Sequence, residues 1–227
     1  MDRLTRKELK SDKFAQEVGH TLEYASEHRK QILRYGGAAL AVLIAGWGFW
    51  SYRGQQQAER FGVLASAIDA HIRPAEGGDA FEAERRKNAE SVKRFQAVVD
   101  KYPNTREAWV ALSYLASIRA EEGNTAEAEK LYLRVIASGE ESVASLARLS
   151  LGQLYATAGK YSEAEKTLRP LIDKPTPFVS KEHATLALAQ ALAANKPDEA
   201  RKLLEPLKSM KGAAITEAVV NLSAELK

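Results

Sequence analysis

The sequence predicts an all-α chain in which one apolar, membrane-length helix near the N-terminus precedes a solenoid of helical hairpins. Three observations predict it. Eighteen consecutive residues, Tyr35 to Tyr52, carry no charged side chain. A short motif returns three times at a constant offset of 36 residues. Apolar residues downstream recur at helical spacing and are interrupted by Gly, Asn and Pro.

Composition supports a folded chain and narrows its function. With 45% hydrophobic and 28% charged residues among 227, there is enough apolar matter for a core and too much for global disorder. Cysteine is absent, which excludes disulfide frameworks and thiolate metal sites in any compartment. The formal charge of +3 is unevenly placed. Residues 1–34 hold eight Lys or Arg against six Asp or Glu, Arg53 adds one positive charge, and Gln55 to Lys227 holds 24 of each sign. A neutral domain lacks the basic excess that phosphate neutralisation requires, so no nucleic acid is expected as a partner.

The first element is an arm, residues 1–34. Phe14, Val18, Leu22, Ala25, Ile32 and Leu33 recur at near-helical spacing between charged residues, predicting an amphipathic helix started by Ser11 or Asp12. Such a helix rests on a membrane surface, frays in water or docks on a partner. Its residues alone do not choose among these.

Residues 35–52 follow. As a helix they rise about 27 Å, close to the roughly 30 Å hydrocarbon core of a bilayer. Tyr35 at one end and Trp47, Trp50 and Tyr52 at the other would place aromatic rings at both interfaces. A buried core helix is the first alternative, but such helices seldom lack charge on every face. A cleaved signal peptide is the second, and it needs small residues where Trp47, Phe49 and Trp50 stand. An uncleaved transmembrane anchor fits best. Arg29, Lys30 and Arg34 precede it with five basic residues further upstream, while Arg53 and Arg60 follow. Basic flanks resist translocation, which predicts a cytoplasmic N-terminus and a C-terminal domain outside. In a bacterium this is a single-pass inner-membrane protein with a periplasmic domain.

Residues 53–227 form that domain. Gly54 to Arg73 reads as a helix with Phe61, Leu64, Ala65, Ile68 and Ile72 on one face, stopped near Pro74 and Gly77-Gly78; a second helix runs from about Ala80 to Lys101. Then Glu127-Ala128-Glu129-Lys130, Glu163-Ala164-Glu165-Lys166 and Glu199-Ala200-Arg201-Lys202 align at the 36-residue offset, which continues through Val135, Leu171 and Leu207. Each unit is an apolar helix, a polar turn and the Ala-containing helix. The turns, Glu122-Gly123-Asn124, Ala158-Gly159-Lys160 and Asn195-Lys196-Pro197, offer Gly or Asn where a left-handed helix end is needed. Upstream, Phe95, Val98, Val99 and Tyr102-Pro103-Asn104 match a second helix and exit loop. Hairpin units are thus expected at about 55–103, 104–139, 140–175 and 178–211, with a capping helix over 213–226.

In the middle unit Leu151-Gly152, Tyr155, Gly159, Tyr161 and Ala164 fall in the tetratricopeptide order, while Ala116 and Leu188 occupy the glycine position of its neighbours. A divergent tetratricopeptide-like solenoid is expected. Together with the span and the sequence Arg53-Gly-Gln-Gln-Gln-Ala58, this organisation resembles the YfgM-like family. The resemblance implies a protein ancillary to the bacterial Sec translocon, whose partners are translocon subunits, periplasmic chaperones or emerging polypeptides. The arm is longer than that family's, and no partner-contacting residue carries over.

No residue pattern points to catalysis. His20, His28, His71 and His183 stand in no metal-ligand spacing and read as surface histidines, and no nucleophile elbow or phosphate-cradling loop is present. No enzyme activity, cofactor or metal is expected. If the first helix of each hairpin lines the concave side, the register places Ser113, Ser117, Gln153, Thr157, Glu182 and Thr185 there. These read either as plain exposed helix residues or as a surface for extended, partly unfolded chain. A membrane-anchored interaction scaffold is the first function expected. The alternative is a structural assembly protein of the envelope or division machinery, in which the array oligomerises and leaves an apolar patch exposed on the monomer.

Overall fold

The computed structural model describes residues 29–75, 79–138, 140–209 and 213–226. The expected arm helix through Phe14, Val18, Leu22 and Ala25, with its caps Ser11 and Asp12, lies outside them, as do His20, His28 and the Gly77-Gly78 stop. Among the described residues the chain is all-helical: α1 (Arg29–Ile72), α2 (Ala80–Lys101), α3 (Arg106–Glu121), α4 (Thr125–Ile136), α5 (Glu141–Thr157), α6 (Tyr161–Asp173), α7 (Lys181–Leu192), α8 (Pro197–Lys208) and α9 (Ala213–Glu225). The chain divides into two units, Met1–Ala58 and Glu59–Lys227.

In the first unit α1 carries the apolar stretch. It is long and apolar enough to cross a membrane, with a mean hydropathy of 1.5 over eighteen residues. Its large side chains, Leu40, Leu43, Ile44, Trp47 and Trp50 among them, are exposed.

The second unit is a stack of antiparallel hairpins. Local signals set most helix starts: the side chains of Asp79, Thr105, Asn124, Glu140 and Ser180 each accept a hydrogen bond from an N–H two or three residues on. Pro197 opens α8 with a backbone already helical. The ends of α3 and α5 are Schellman turns. Gly123 and Gly159 sit at φ of 79° and 72°, and Asn124 and Lys160 each donate to a carbonyl five residues back at 2.8 Å. The third turn departs from expectation. Asn195 does not adopt positive φ; Asn195 and Lys196 both donate to the Leu192 carbonyl, and the left-handed asparagine is Asn104, after α2.

Small residues let the paired helices meet. Ala128, Ala164 and Ala200 have no exposed surface. Ser91 occupies the matching place on α2, with Phe95 and Val98 following it as Tyr132 and Val135 follow Ala128. A Cβ on Gly152 would fall 2.6 Å from Leu168 Cδ2, so the backbone of α5 packs directly on that side chain. In the first hairpin Leu64 and Ala67 are buried, and Glu59 accepts hydrogen bonds from Lys101 Nζ at 2.8 Å and the Tyr102 hydroxyl at 2.9 Å. Phe61 and Ile72, expected on that packed face, are 67% and 68% exposed. The buried face is centred on Leu64, Ala67 and His71, because helices α2 and α3 reach α1 from that side only. His71 is accordingly not the surface residue expected: its ring stands edge-on to Phe95 at 5.9 Å and to Tyr114 at 5.7 Å.

Successive hairpins are linked by a ladder on the second helices. Lys160 pairs with Glu129 at 3.5 Å and Lys196 with Glu165 at 2.8 Å, 31 residues apart in each case, and Arg169 bridges to Glu199 at 2.8 Å. At the next rung Arg201 replaces the glutamate. Its Nε donates to the Leu226 carbonyl at 2.7 Å, so the ladder ends on α9. Exposed pairs of this kind add little individually, and the continuous core from Leu64 to Leu226 supplies the stacking energy.

Candidate functional site

The way the hairpins stack decides which side is concave. Each first helix touches the next: α3 touches α5, α5 touches α7, and α7 touches α9. Among the described residues no second helix makes the corresponding contact with its successor. The first helices are therefore crowded together and the second helices splayed, which curves the stack with α3, α5 and α7 inside.

Two clefts open on that inner side. The first, about 400 Å³, lies between α3 and α5 and is lined by Val110, Ser113, Tyr114, Ser117, Tyr132, Val143, Leu146, Ser150 and Phe178. Residues 143, 146, 150, 153 and 157 follow one another at spacings of three and four along α5, so they form one stripe. The second cleft, about 330 Å³, uses its far end: Gln153, Ala156 and Thr157 face Ala187, Gln190 and Ala191 of α7. No lining residue of either cleft carries a charge.

The expected site residues fall into three groups. Ser113 and Ser117 are half-buried and come together in the first cleft; Ser113 Oγ donates to the Trp109 carbonyl at 3.0 Å. Gln153 and Thr157 are exposed and share the second cleft, the Thr157 hydroxyl donating to the Gln153 carbonyl at 3.0 Å. Glu182 is half-buried and lines neither cleft. Its own backbone N–H and the Ser180 hydroxyl, at the start of α7, hold its carboxyl below the ordinary range. Thr185, expected on the binding face, is buried at 6% exposure. Helix α7 is flanked by α5 and by α9, and the Thr185 hydroxyl is already satisfied by the Lys181 carbonyl at 2.7 Å.

Seven residues of the first cleft were not expected there: Val110, Tyr114, Tyr132, Val143, Leu146, Ser150 and Phe178. A signal existed for two of them, since Val110 and Leu146 share the repeat position of Glu182, an apolar choice at an inward-facing place. Phe178 comes from the α6–α7 connection, Lys174 to Ser180, which is longer than the turns within hairpins. Thr176 of that loop bonds Ser145 of α5 through the two hydroxyls at 2.7 Å, and Val179 is fully buried. Those two anchors carry Phe178 over α5, and the Arg106 guanidinium of α3 lies 5.2 Å above its ring. Tyr132 forms the floor: burial pushes its phenol up, partly opposed by hydrogen bonds with Ser150 and Ser117.

The family model described as tetratricopeptide repeat-like domain matches residues 26–176. No curated protein and no solved structure matches the chain.

Proposed function

Because the chain belongs to the tetratricopeptide repeat-like domain family, we propose that its array is a protein–protein interaction scaffold that holds partners on the concave stripe of first helices. The observation that carries this reading is the pair of uncharged clefts between successive first helices. Uncharged polar and apolar groups suit extended or partly unfolded chain better than a charged tail. The role is binding rather than catalysis.

The apolar stretch of α1 supports a finer reading, in which residues 35–52 anchor the chain in a bacterial inner membrane with its N-terminus in the cytoplasm and the array in the periplasm. The resemblance to the YfgM-like family supports a place beside the Sec translocon, with translocon subunits, chaperones or emerging polypeptides as partners. Affinity purification of the tagged chain from detergent-solubilised membranes tests this. Translocon subunits or periplasmic chaperones should co-purify, and Gln153→Arg should reduce their yield. Their absence, or activity of a cytoplasm-only reporter fused after Lys227, would remove the translocon reading.

One observation favours the alternative of self-assembly. Phe61, Ile72 and Phe81, all in the first hairpin, are 67%, 68% and 70% exposed. The mass of the purified particle decides: a dimer or higher species dissociated by Phe61→Ser would favour assembly, and a monomer would leave the scaffold reading alone.

A further inference from the structure

We propose that the cleft between α3 and α5 is a docking pocket for one bulky uncharged side chain of an extended polypeptide that carries a carboxylate beside it. The proposal rests on the concave-surface reading and specifies the segment that surface takes.

The chemistry of the lining excludes other occupants. A charged side chain entering the cleft would lose its water among nine neutral lining residues. An apolar one leaves the hydroxyls of Ser113 and Ser117 paired as they are. The Ser113 hydroxyl is spent on the Trp109 carbonyl at 3.0 Å and the Ser117 hydroxyl on the Glu121 carboxylate at 3.3 Å. The volume, about 400 Å³, stands at the low end of the roughly 300–1,000 Å³ of ligand pockets. It admits a side chain and its adjacent backbone, and is too small for a helix.

The walls are fixed before anything binds. Tyr114 is stacked on Phe95 with centroids 4.8 Å apart and planes 5° from parallel, and the His71 ring holds it from the edge. Opposite, Phe178 is pinned between the Arg106 guanidinium and a loop tied down at Thr176 and Val179. A partner therefore meets a formed pocket and avoids the cost of ordering it.

The rim supplies the charge. Arg106 is exposed and forms no ion pair with any described residue. Its guanidinium, lying over Phe178 at the mouth, presents donors to a carboxylate next to the inserted side chain, as an adjacent acidic residue or a chain terminus would.

The test titrates the full chain in lipid nanodiscs, with empty nanodiscs as the blank, against fluorescein-labelled hexapeptides Gly-Ser-X-Asp-Ser-Gly. With X as Trp or Leu, saturable binding is expected, and with X as Gly or Lys it should be at least about tenfold weaker. Phe178 and Leu146 are 44% and 40% exposed, so Phe178→Ala and Leu146→Ser should keep the fold, shown by an unchanged circular dichroism melt. They should nevertheless weaken the Trp peptide about thirtyfold, as truncating an anchor pocket does. Arg106→Gln should abolish the preference for the Asp peptide over its Asn counterpart. Equal binding of all four peptides, or no binding at all, overturns the proposal. Binding unchanged in Phe178→Ala but lost in Gln153→Arg overturns the pocket while leaving the concave surface intact.

Discussion

Replacing Gly152 with alanine adds one methyl group where α5 and α6 leave no room for it. The new Cβ would lie 2.6 Å from Leu168 Cδ2 and 3.0 Å from Cδ1, against an optimum of about 3.5–4.0 Å between carbons. Leu168 has no exposed surface, so its isobutyl group cannot swing aside. Overpacking costs about 1–3 kcal/mol, and with several Leu168 carbons in conflict the upper figure applies. Against it stands the gain of about 1 kcal/mol for alanine over glycine inside a helix. The net expectation is a loss of about 2 kcal/mol. For a domain of this size each kcal/mol is about 2–4 °C, so the circular dichroism melt should fall by about 4–8 °C. A second background isolates the cause. Leu168→Ala alone should cost about 2–5 kcal/mol, but once it is present the added methyl fits and Gly152→Ala should stabilise by about 1 kcal/mol. An unchanged or raised Tm for Gly152→Ala in the parent chain would refute the close approach of the two helices.

Three further outcomes follow from single contacts. Ser91 Oγ is buried without a hydrogen-bond partner at a place its sister hairpins fill with alanine, so Ser91→Ala should raise stability by about 1 kcal/mol, read as a higher Tm. Glu165, held below the ordinary carboxylate range by Lys196 and Arg169, contributes stability that is present above its unfolded pKa and lost as pH falls through its folded value. The stability gap between the parent and Glu165→Gln should accordingly be open at pH 6 and narrow as the pH is lowered below the ordinary carboxylate pKa, and a constant gap would contradict the ion pairs. Arg201→Met should speed hydrogen exchange in residues 213–226 while leaving α3 to α6 unchanged, because its guanidinium holds the Leu226 carbonyl.

The parts of the fold that were legible in the sequence are those each repeat determines for itself. The alanines at 128, 164 and 200 and the glycine at 152 declare a close helix contact wherever they occur, and Gly123 and Gly159 end helices by backbone conformation alone. What was not legible depends on neighbours distant in sequence. Thr185 looks like Ser113 by register, yet α7 lies between α5 and α9 and Thr185 is buried. Phe61 and Ile72 share helical spacing with Leu64, but the direction from which α2 and α3 approach selects a different face. Phe178 has no repeat counterpart; the hydroxyl contact between Thr176 and Ser145 and the burial of Val179 bring its loop across α5. A 36-residue period describes what recurs and is silent on such departures.

The central claim is that partners are held on the concave side, and site-specific photo-crosslinking tests it most directly. A photoreactive residue is placed in turn at Gln153, exposed on the inner stripe of α5, and at Lys166, exposed on α6 among the splayed second helices. Cells are irradiated and adducts of the full chain are resolved by mass. Adducts to other proteins from position 153, and none from position 166, are the predicted result. Adducts from position 166 with none from position 153 would place the partner on the outer surface and contradict the account.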